Sequence, residues 1–257
     1  IFFRSYMWVF GPLFLFCAFW WVDNAAAFSA VAREAFHPVC PVWDENGYVM
    51  FCNCHGRFGN QAEEFLGALR FCQQHNRTCV LPHWVDFRHG KVLLTPFTDY
   101  FRLQPLQEFH KVVTMDDFMH HLAPSYWPPE ERTLYCLYTH LECKLPLGNP
   151  TNTYWGNFDI EFRQFKNLPA QRITTKVRVL ALGGSPGSFP VQKPNRILQK
   201  YLQWTPELTQ RAKAAAPRVP FIGVHLRVGS DWVQACQNAE GHARYMASPQ
   251  CLEAGEI

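Results

Sequence analysis

Two side chains that can hold an anion, His225 and Arg227, lie in the stretch P-F-I-G-V-H-L-R-V-G-S-D-W at residues 220–232. Its apolar residues bracket Gly223 and lead directly into Arg227 and a Gly-Ser-Asp turn, which is the pattern of a buried strand that ends in a cation. Ligands bind beyond the carboxyl ends of strands in open α/β sheets, because backbone and side chains both reach that crevice. The sequence therefore predicts that His225 and Arg227 form the floor of a binding site.

A second candidate loop, C-H-G-R-F-G-N-Q, covers residues 54–61 and follows a predicted short strand at residues 48–51. A helix is predicted after it by four apolar residues with the i, i+3, i+4, i+7 spacing of one helical face: Ala62, Phe65, Leu66 and Leu69. Asn60 stands where an N-cap is favoured, and the free N–H groups of the first turn, together with Arg57, favour an anion. Residues 78–81 are the expected next strand, which closes a βαβ unit of about 30 residues. The loop alone supports an anion site and a plain structural turn equally.

The overall composition predicts a globular protein and argues against a nucleic-acid binder. Forty-eight per cent of the 257 residues are apolar, enough for a core in one large domain or two smaller ones. The net charge is only +3, and the sequence has no long block of Lys and Arg.

The N-terminal residues predict entry into the secretory pathway. Arg4 precedes an apolar run at residues 7–22, and Ala25-Ala26-Ala27 resembles a cleavage site, so residues 1–27 are predicted to be a signal peptide. The run is shorter than the roughly 20 residues that span a bilayer, so no stable membrane span is expected. The sequon Asn76-Arg77-Thr78 makes Asn76 a predicted N-glycosylation site.

The ten cysteines fit an oxidising compartment and are expected to form disulfides. Cys52 and Cys54 are too close together for a usual zinc knuckle, and no second C-x-x-C completes four ligands. Cys136 and Cys143 have a spacing that allows a local bridge. These four residues are the disulfide candidates, and the sequence leaves their pairing open.

The rest of the chain divides into predicted elements and irregular segments. Residues 82–110 and 149–170 are expected to be irregular, and Thr114 is expected to cap a short helix that ends at Pro124. The loop G-G-S-P-G-S-F-P after a predicted strand at residues 177–182 lacks the G-x-G-x-x-G fingerprint and is expected only to reverse the chain. Thr205 is expected to cap a helix with Pro206 at its first position. We place the boundary between two halves, residues 44–175 and 176–257, before the strand at residues 177–182.

Four separated motifs resemble the GDP-fucose protein O-fucosyltransferases, in that family's order and with similar spacing, over about residues 43–251. They are G-R-F-G-N-Q-A-E-E-F-L-G (56–67), F-M-H-H-L-A-P-S-Y-W-P-P-E (118–130), G-V-H-L-R-V-G-S-D-W (223–232) and M-A-S-P-Q-C (246–251). The resemblance implies an α/β fold of the GT-B type, with two Rossmann-like halves that face each other across a cleft. It also implies an enzyme of the endoplasmic reticulum lumen that moves fucose from GDP-fucose onto a Ser or Thr of folded EGF-like repeats, such as those of Notch.

The resemblance also assigns roles to residues. Arg227 matches the arginine that engages the departing diphosphate, and the other matches to nucleotide-sugar contacts are Arg57, Phe58, Gly59, Asn60, His225 and Leu226. No metal or other cofactor is implied, and the adjacent Asp116 and Asp117 do not form the D-x-D motif of metal-dependent sugar-nucleotide enzymes. Neither spacing nor resemblance singles out a general base. Asp231 is a possible acceptor contact near the predicted site strand, and two further carboxylates, Glu63 and Glu64, follow the first loop.

The family extends past residue 257, so the second half is expected to be incomplete in this chain. Parts of the donor pocket and a retention tail would lie in the missing region. We therefore expect little or no turnover from the chain as given. The alternative hypothesis is a non-catalytic binder or folding helper for EGF-like domains.

Overall fold

The computed structural model describes residues 41–88, 91–137, 142–145, 150–168 and 177–221. The predicted signal peptide and nearly all of the predicted site strand at residues 220–232 lie outside these ranges. The chain divides between Thr209 and Gln210 into two compact units. Of the second unit, residues 210–221 are described, and they include the end of a helix and the exposed Phe221.

The first unit is built on a six-stranded sheet in which every pair of neighbouring strands is parallel. In chain order the strands are β1 (Tyr48–Met50), β2 (Thr78–Leu81), β5 (Val112–Thr114), β6 (Thr133–Cys136), β7 (Gln164–Asn167) and β8 (Val179–Leu182). Their order across the sheet is β5-β2-β1-β8-β6-β7, which places β1 and β8 side by side at the centre. A separate antiparallel hairpin is formed by β3 (Trp84–Arg88) and β4 (Lys91–Thr95).

Helices connect these strands. The α-helices are α1 (Phe58–Gln74), α2 (Phe97–Tyr100), α3 (Gln104–Phe109), α4 (Met115–Asp117), α5 (Ala123–Tyr126), α6 (Thr151–Asn157) and α7 (Pro206–Ala215). A π-helical turn (Phe118–Leu122) joins α4 to α5, and two 3₁₀ helices cover Pro129–Glu131 and Lys193–Tyr201.

The alternation of side chains along β1 produces a core on each face of the sheet. Tyr48 and Met50 belong to one buried cluster, which includes Trp155, whereas Val49 and Phe51 belong to the other. The second cluster includes the buried face of α1, formed by Phe65, Ala68, Leu69 and Cys72. Since β1 has helical or loop cover on both faces, all three of its residues are buried, as is typical of a central parallel strand.

Several predicted elements are confirmed. β1, α1 and β2 form the expected βαβ unit, and Thr114 caps α4 through a hydrogen bond from the Asp117 N–H to its hydroxyl. Helix α7 begins at Pro206, and the Leu208 N–H donates to the Thr205 hydroxyl. The caps at Thr114 and Thr205 were therefore readable from the sequence.

The strand that follows the predicted boundary at residue 176 belongs to the sheet of the first unit. β8 pairs with β1 along three residues and also with β6, so it is a central strand of this sheet. After β1 the chain forms β2 and β5 at one edge of the sheet. It then forms β6 and β7 at the other edge, and it returns to place β8 between β1 and β6. Such a return is invisible in a sequence, because a buried strand has the same apolar pattern wherever it is placed.

Two segments predicted to be irregular contain regular structure. Residues 82–110 include the hairpin β3–β4 and the helices α2 and α3, and residues 149–170 include α6 and β7. The helical run after Thr114 also continues past Pro124, since the π-helical turn ends at Leu122 and Pro124 occupies the first turn of α5, which extends to Tyr126. A first-turn proline lacks only an N–H that would have no helical partner.

Two disulfides are present among the described residues. Cys52 is bonded to Cys54, and Cys136 is bonded to Cys143. Cys72 and Cys79 are buried free cysteines on α1 and β2. No helix in the described part of the chain is both long and apolar enough to cross a bilayer.

Candidate functional site

The loop from Cys54 to Asn60 lies at the carboxyl end of the central strand β1. Gly56 has φ +67°, and a Cβ atom there would come within 2.7 Å of the Asn60 side chain, so the turn requires glycine. Arg57 is the N-cap of α1 with an extended backbone, and its side chain makes no capping hydrogen bond. The helix thus begins at Phe58, and Asn60 lies in its first turn and not at the predicted N-cap position.

This arrangement exposes a cation and a helix N-terminus together. Gly56, Arg57 and Gly59 are exposed. Within the described residues, no heavy atom lies within 4 Å of a Cβ placed at Gly59. An anionic ligand can therefore approach the backbone N–H groups of the first turn closely, with Arg57 beside it.

The side-chain amide of Gln61 holds the loop in place through hydrogen bonds, and this role is not evident from the sequence. Its side-chain nitrogen donates to the Val85 carbonyl at 2.7 Å and to the Gly56 carbonyl at 3.3 Å, and its oxygen accepts from the Val85 N–H at 3.0 Å. The side chain is fully buried. One amide thus ties the loop, α1 and β3 together, and only its place next to G-R-F-G-N could have drawn attention to it.

Phe58 anchors the other side of the loop. Its ring centroid lies 5.1 Å from that of Trp84, 5.8 Å from that of Trp204 and 6.1 Å from that of Phe101. Tyr100 is a fourth aromatic neighbour at 5.3 Å, and because these rings hold Phe58, the backbone of Phe58 and Gly59 has a fixed position. Phe58 therefore contributes packing, whereas Arg57 and Gly59 contribute the exposed groups.

The loop after β8 borders the same end of the sheet. A Cβ at Gly184 would lie 3.9 Å from Cε1 of His55, and a Cβ at Gly187 would overlap the Glu64 carbonyl of α1. Glycine at 187 lets this loop rest directly on the helix, next to Gly67, whose own Cβ would lie 2.6 Å from the Gly187 Cα. The loop thus packs against the helix that begins at Phe58, a contact that the sequence did not predict.

The two carboxylates after the loop have different environments. Glu63 accepts a hydrogen bond from the Val191 N–H at 2.7 Å. Glu64 is only 8% exposed, and its Oε2 has no hydrogen-bond partner among the described residues. Burial penalises the charged form and raises the pKa of Glu64 to about 7.

The remaining predicted site residues lie outside the described ranges. His225, Leu226, Arg227 and Asp231 all belong to residues 222–257, so the structure does not report their positions relative to Arg57. In the part of the chain that is described, no three His, Cys, Asp or Glu side chains are arranged to hold a metal ion.

Asn76, the predicted glycosylation site, lies in the turn between α1 and β2. Its side chain is exposed and its φ is +50°, a conformation that asparagine tolerates better than most residues. The hydroxyl of Thr78, the third residue of the sequon, is buried and donates to Asp44 at 2.6 Å.

Comparison with known proteins gives the same assignment as the four motifs. Residues 48–256 match the family model of the GDP-fucose protein O-fucosyltransferases. The chain belongs to this family. It is 34% identical over 244 residues to GDP-fucose protein O-fucosyltransferase 1 of Caenorhabditis elegans, a match that covers 82% of this chain and 63% of the relative.

Solved structures of the family agree with the fold. A crystal structure of POFUT1 in complex with GDP-fucose is 33% identical, with a TM-score of 0.71, over 76% of this chain and 63% of that one. A crystal structure of POFUT1 in complex with GDP has a TM-score of 0.70 at 34% identity. The predicted α/β, GT-B-like fold is thus confirmed, and the chain spans 63% of the length of the O-fucosyltransferase relative that it matches.

Proposed function

We propose that the protein transfers fucose from GDP-fucose to a Ser or Thr hydroxyl of folded EGF-like repeats, including repeats of the Notch type. The observation that carries the proposal is the loop at residues 54–60. In a chain of the O-fucosyltransferase family, an exposed arginine and an open helix N-terminus lie together at the carboxyl end of the central strand. That combination suits a nucleoside diphosphate sugar better than a neutral ligand.

The diphosphate is the part of the donor that this loop can recognise. Arg57 can give two parallel N–H bonds to phosphate oxygens, and the first-turn N–H groups at Phe58, Gly59 and Asn60 add partial positive charge. We assign further contacts with the nucleotide sugar to His225 and Leu226, on the predicted strand at residues 220–232. Apart from the donor, the proposal needs no cofactor.

Arg227 is the proposed catalytic residue. When the bond between fucose C1 and the β-phosphate oxygen breaks, negative charge develops on the departing phosphate, and the acceptor oxygen forms its bond to C1. A planar guanidinium stabilises that charge through two oxygens at once. Asp231, four residues further on, is proposed to contact the acceptor.

Neither Glu63 nor Glu64 is assigned as the general base. The carboxylate of Glu63 is engaged by the Val191 N–H, and that of Glu64 is buried, with Oε2 lacking a hydrogen-bond partner among the described residues. A base must lie within hydrogen-bond reach of the acceptor hydroxyl. We therefore propose that the departing phosphate takes the proton.

We place the protein in the endoplasmic reticulum lumen, with a cleaved signal peptide at residues 1–27 and a glycan on Asn76. The exposed turn supports the glycan. The buried Thr78 hydroxyl implies that the glycan is added before β2 docks against Asp44. Because the chain spans only 63% of the length of these relatives, we also propose that the chain as given transfers fucose slowly.

The proposal is tested by fucose transfer to a folded EGF-like repeat in the full-length protein that contains this chain. Arg57→Ala should lower kcat/KM roughly 10- to 100-fold, the worth of a charge-assisted hydrogen bond to phosphate. The matched control is Arg163→Ala, since Arg163 is an exposed arginine beside the edge strand β7. A protein that binds the repeat but transfers no fucose would instead be a non-catalytic EGF-domain binder.

A further inference from the structure

A cavity of about 460 Å³ lies beside the first two turns of α1. One wall is formed by Phe58 and Gly59 of the candidate donor loop, and the opposite wall is formed by residues 190–204. The site described above uses Arg57 and the helix N-terminus and leaves this cavity without a role.

The floor of the cavity is a stack of aromatic rings. The Trp204 indole lies 4.5 Å from the Phe101 ring with an interplanar angle of 26°, and 5.8 Å from the Phe58 ring with an angle of 25°. Trp204 nevertheless remains 49% exposed. A half-exposed Trp on a packed aromatic support is typical of the anchor residues of protein interfaces.

The backbone holds this Trp in place. Phe101 and Trp204 form an antiparallel β-bridge, the Arg102 N–H donates to the Gln203 carbonyl, and the Thr205 N–H donates to the Tyr100 carbonyl. Each hydrogen bond is 2.9 Å long. A binding surface that is rigid before the partner arrives loses little conformational entropy on binding.

The helix beside the cavity is basic, whereas the cavity lining itself contains one cation, Arg196, and one carboxylate, Glu63, which accepts from the Val191 N–H. The 3₁₀ helix Lys193–Tyr201 contains Lys193, Arg196 and Lys200 and no acidic residue. Two large apolar side chains close to this wall in the sequence do not line the cavity and are exposed, Phe189 at 52% and Ile197 at 63%. Trp, Phe and Arg side chains are enriched at the cores of protein interfaces, and the cavity lining contains all three types.

We infer that this surface, the Trp204 pocket together with the basic 3₁₀ helix beside it, docks the polypeptide acceptor through a large apolar side chain that is flanked by acidic residues. The inference rests on the proposed transfer to EGF-like repeats and names the contact that selects among them. Charge complementarity sets the acidic character of the partner. The shared wall at Phe58 and Gly59 places the docked acceptor next to Arg57, where the donor is proposed to lie.

The test is the affinity of the chain for a folded EGF-like repeat, measured by titration calorimetry at two salt concentrations. Trp204→Ala should raise the Kd at least tenfold, as is typical when an interface anchor is truncated. Arg196→Glu changes only an exposed side chain of the basic 3₁₀ helix, so it keeps the fold while weakening binding and flattening its salt dependence. The matched controls are Phe165→Ala and Lys166→Glu on the exposed edge strand β7, and they should bind as the unmodified chain does.

Equal Kd values for Arg196→Glu and Lys166→Glu would overturn the inference, and so would a complete lack of repeat binding. A loss of self-association in Trp204→Ala with unchanged repeat binding would also overturn it, because the occupant would then be a second copy of the chain. Fucose transfer that does not depend on the Trp204 pocket would retain the proposed function and reject the docking site. Binding that depends on the pocket, with no transfer in the full-length protein, would retain the docking site and reject the proposed function.

Discussion

At the scale of single residues, Gly187 determines how closely the loop after β8 approaches α1. Its Cα lies against Gly67, and any side chain at 187 would run into the Glu64 carbonyl and come within 3.0 Å of the Ala68 N. These obstacles are helix backbone, which cannot rotate away as a side chain can. The glycine is therefore required by packing and not by an unusual φ.

We predict that Gly187→Ala lowers the free energy of unfolding by about 1–3 kcal/mol, the usual cost of overpacking. The control is Gly156→Ala in α6, where no described heavy atom lies within 4 Å of the added Cβ. That change should be neutral or stabilise the protein by up to about 1 kcal/mol, because alanine favours a helix. Urea denaturation of both variants measures the difference, and equal stability would contradict the proposed contact.

Glu64 should make stability depend on pH. Its pKa is about 7 in the folded protein and 4.5 as an unperturbed group, so between these values the folded state holds a proton that the unfolded state has lost. Stability should therefore fall as the pH rises from 4.5 to 7, by about 1–3 kcal/mol, and then level off.

Glu64→Gln should remove this slope and stabilise the protein above pH 7, because a neutral amide replaces a buried carboxylate. Glu63→Gln is the matched control and should keep the slope, since it leaves Glu64 in place. Thermal melts across this pH range give the comparison. An unchanged slope in Glu64→Gln would show that another group is responsible.

At the scale of elements, the position of the loop at residues 54–60 depends on Gln61, which joins α1 to the hairpin strand β3. Gln61→Leu keeps the side-chain size but leaves the Val85 N–H and carbonyl without their partners. Each buried backbone group left unpaired costs about 1–3 kcal/mol. We predict a loss of about 2–4 kcal/mol of stability in Gln61→Leu on this basis.

The control for this prediction is Gln74→Leu, an exposed position at the end of the same helix, which should change stability by less than about 0.5 kcal/mol. Chemical denaturation of the two variants is the measurement. If both lose the same stability, the hydrogen bonds of Gln61 do not hold the loop.

Elements with strong local signals were predictable from the sequence. The apolar face of α1, the Thr114 cap and the proline at the start of α7 each specify their element within a few residues. The hairpin β3–β4 and helix α6 were not predictable, because their short apolar patterns are interrupted by His, Pro and Gly residues that are typical of loops. Their formation depends on tertiary partners, such as the Gln61 amide for β3.

At the scale of the whole molecule, four sequence motifs suffice to identify the family, and the motif at residues 56–67 also locates the loop of the candidate site. The place of β8 in the sheet was not predictable, since it depends on a return of the chain and not on local pattern. The packing role of Phe58 and the bridging role of Gln61 also required three-dimensional contacts. Arg227 remains a prediction from the sequence.

The measurement that tests the account most directly is fucose transfer from GDP-fucose to a folded EGF-like repeat by the full-length protein, with and without Arg227→Ala. We predict transfer by the unmodified protein and a loss of about 100- to 1,000-fold in kcat in the variant, as expected when a preorganised donor to the departing oxygen is removed. Binding of GDP-fucose without any transfer, or equal rates in the two proteins, would contradict the proposed function.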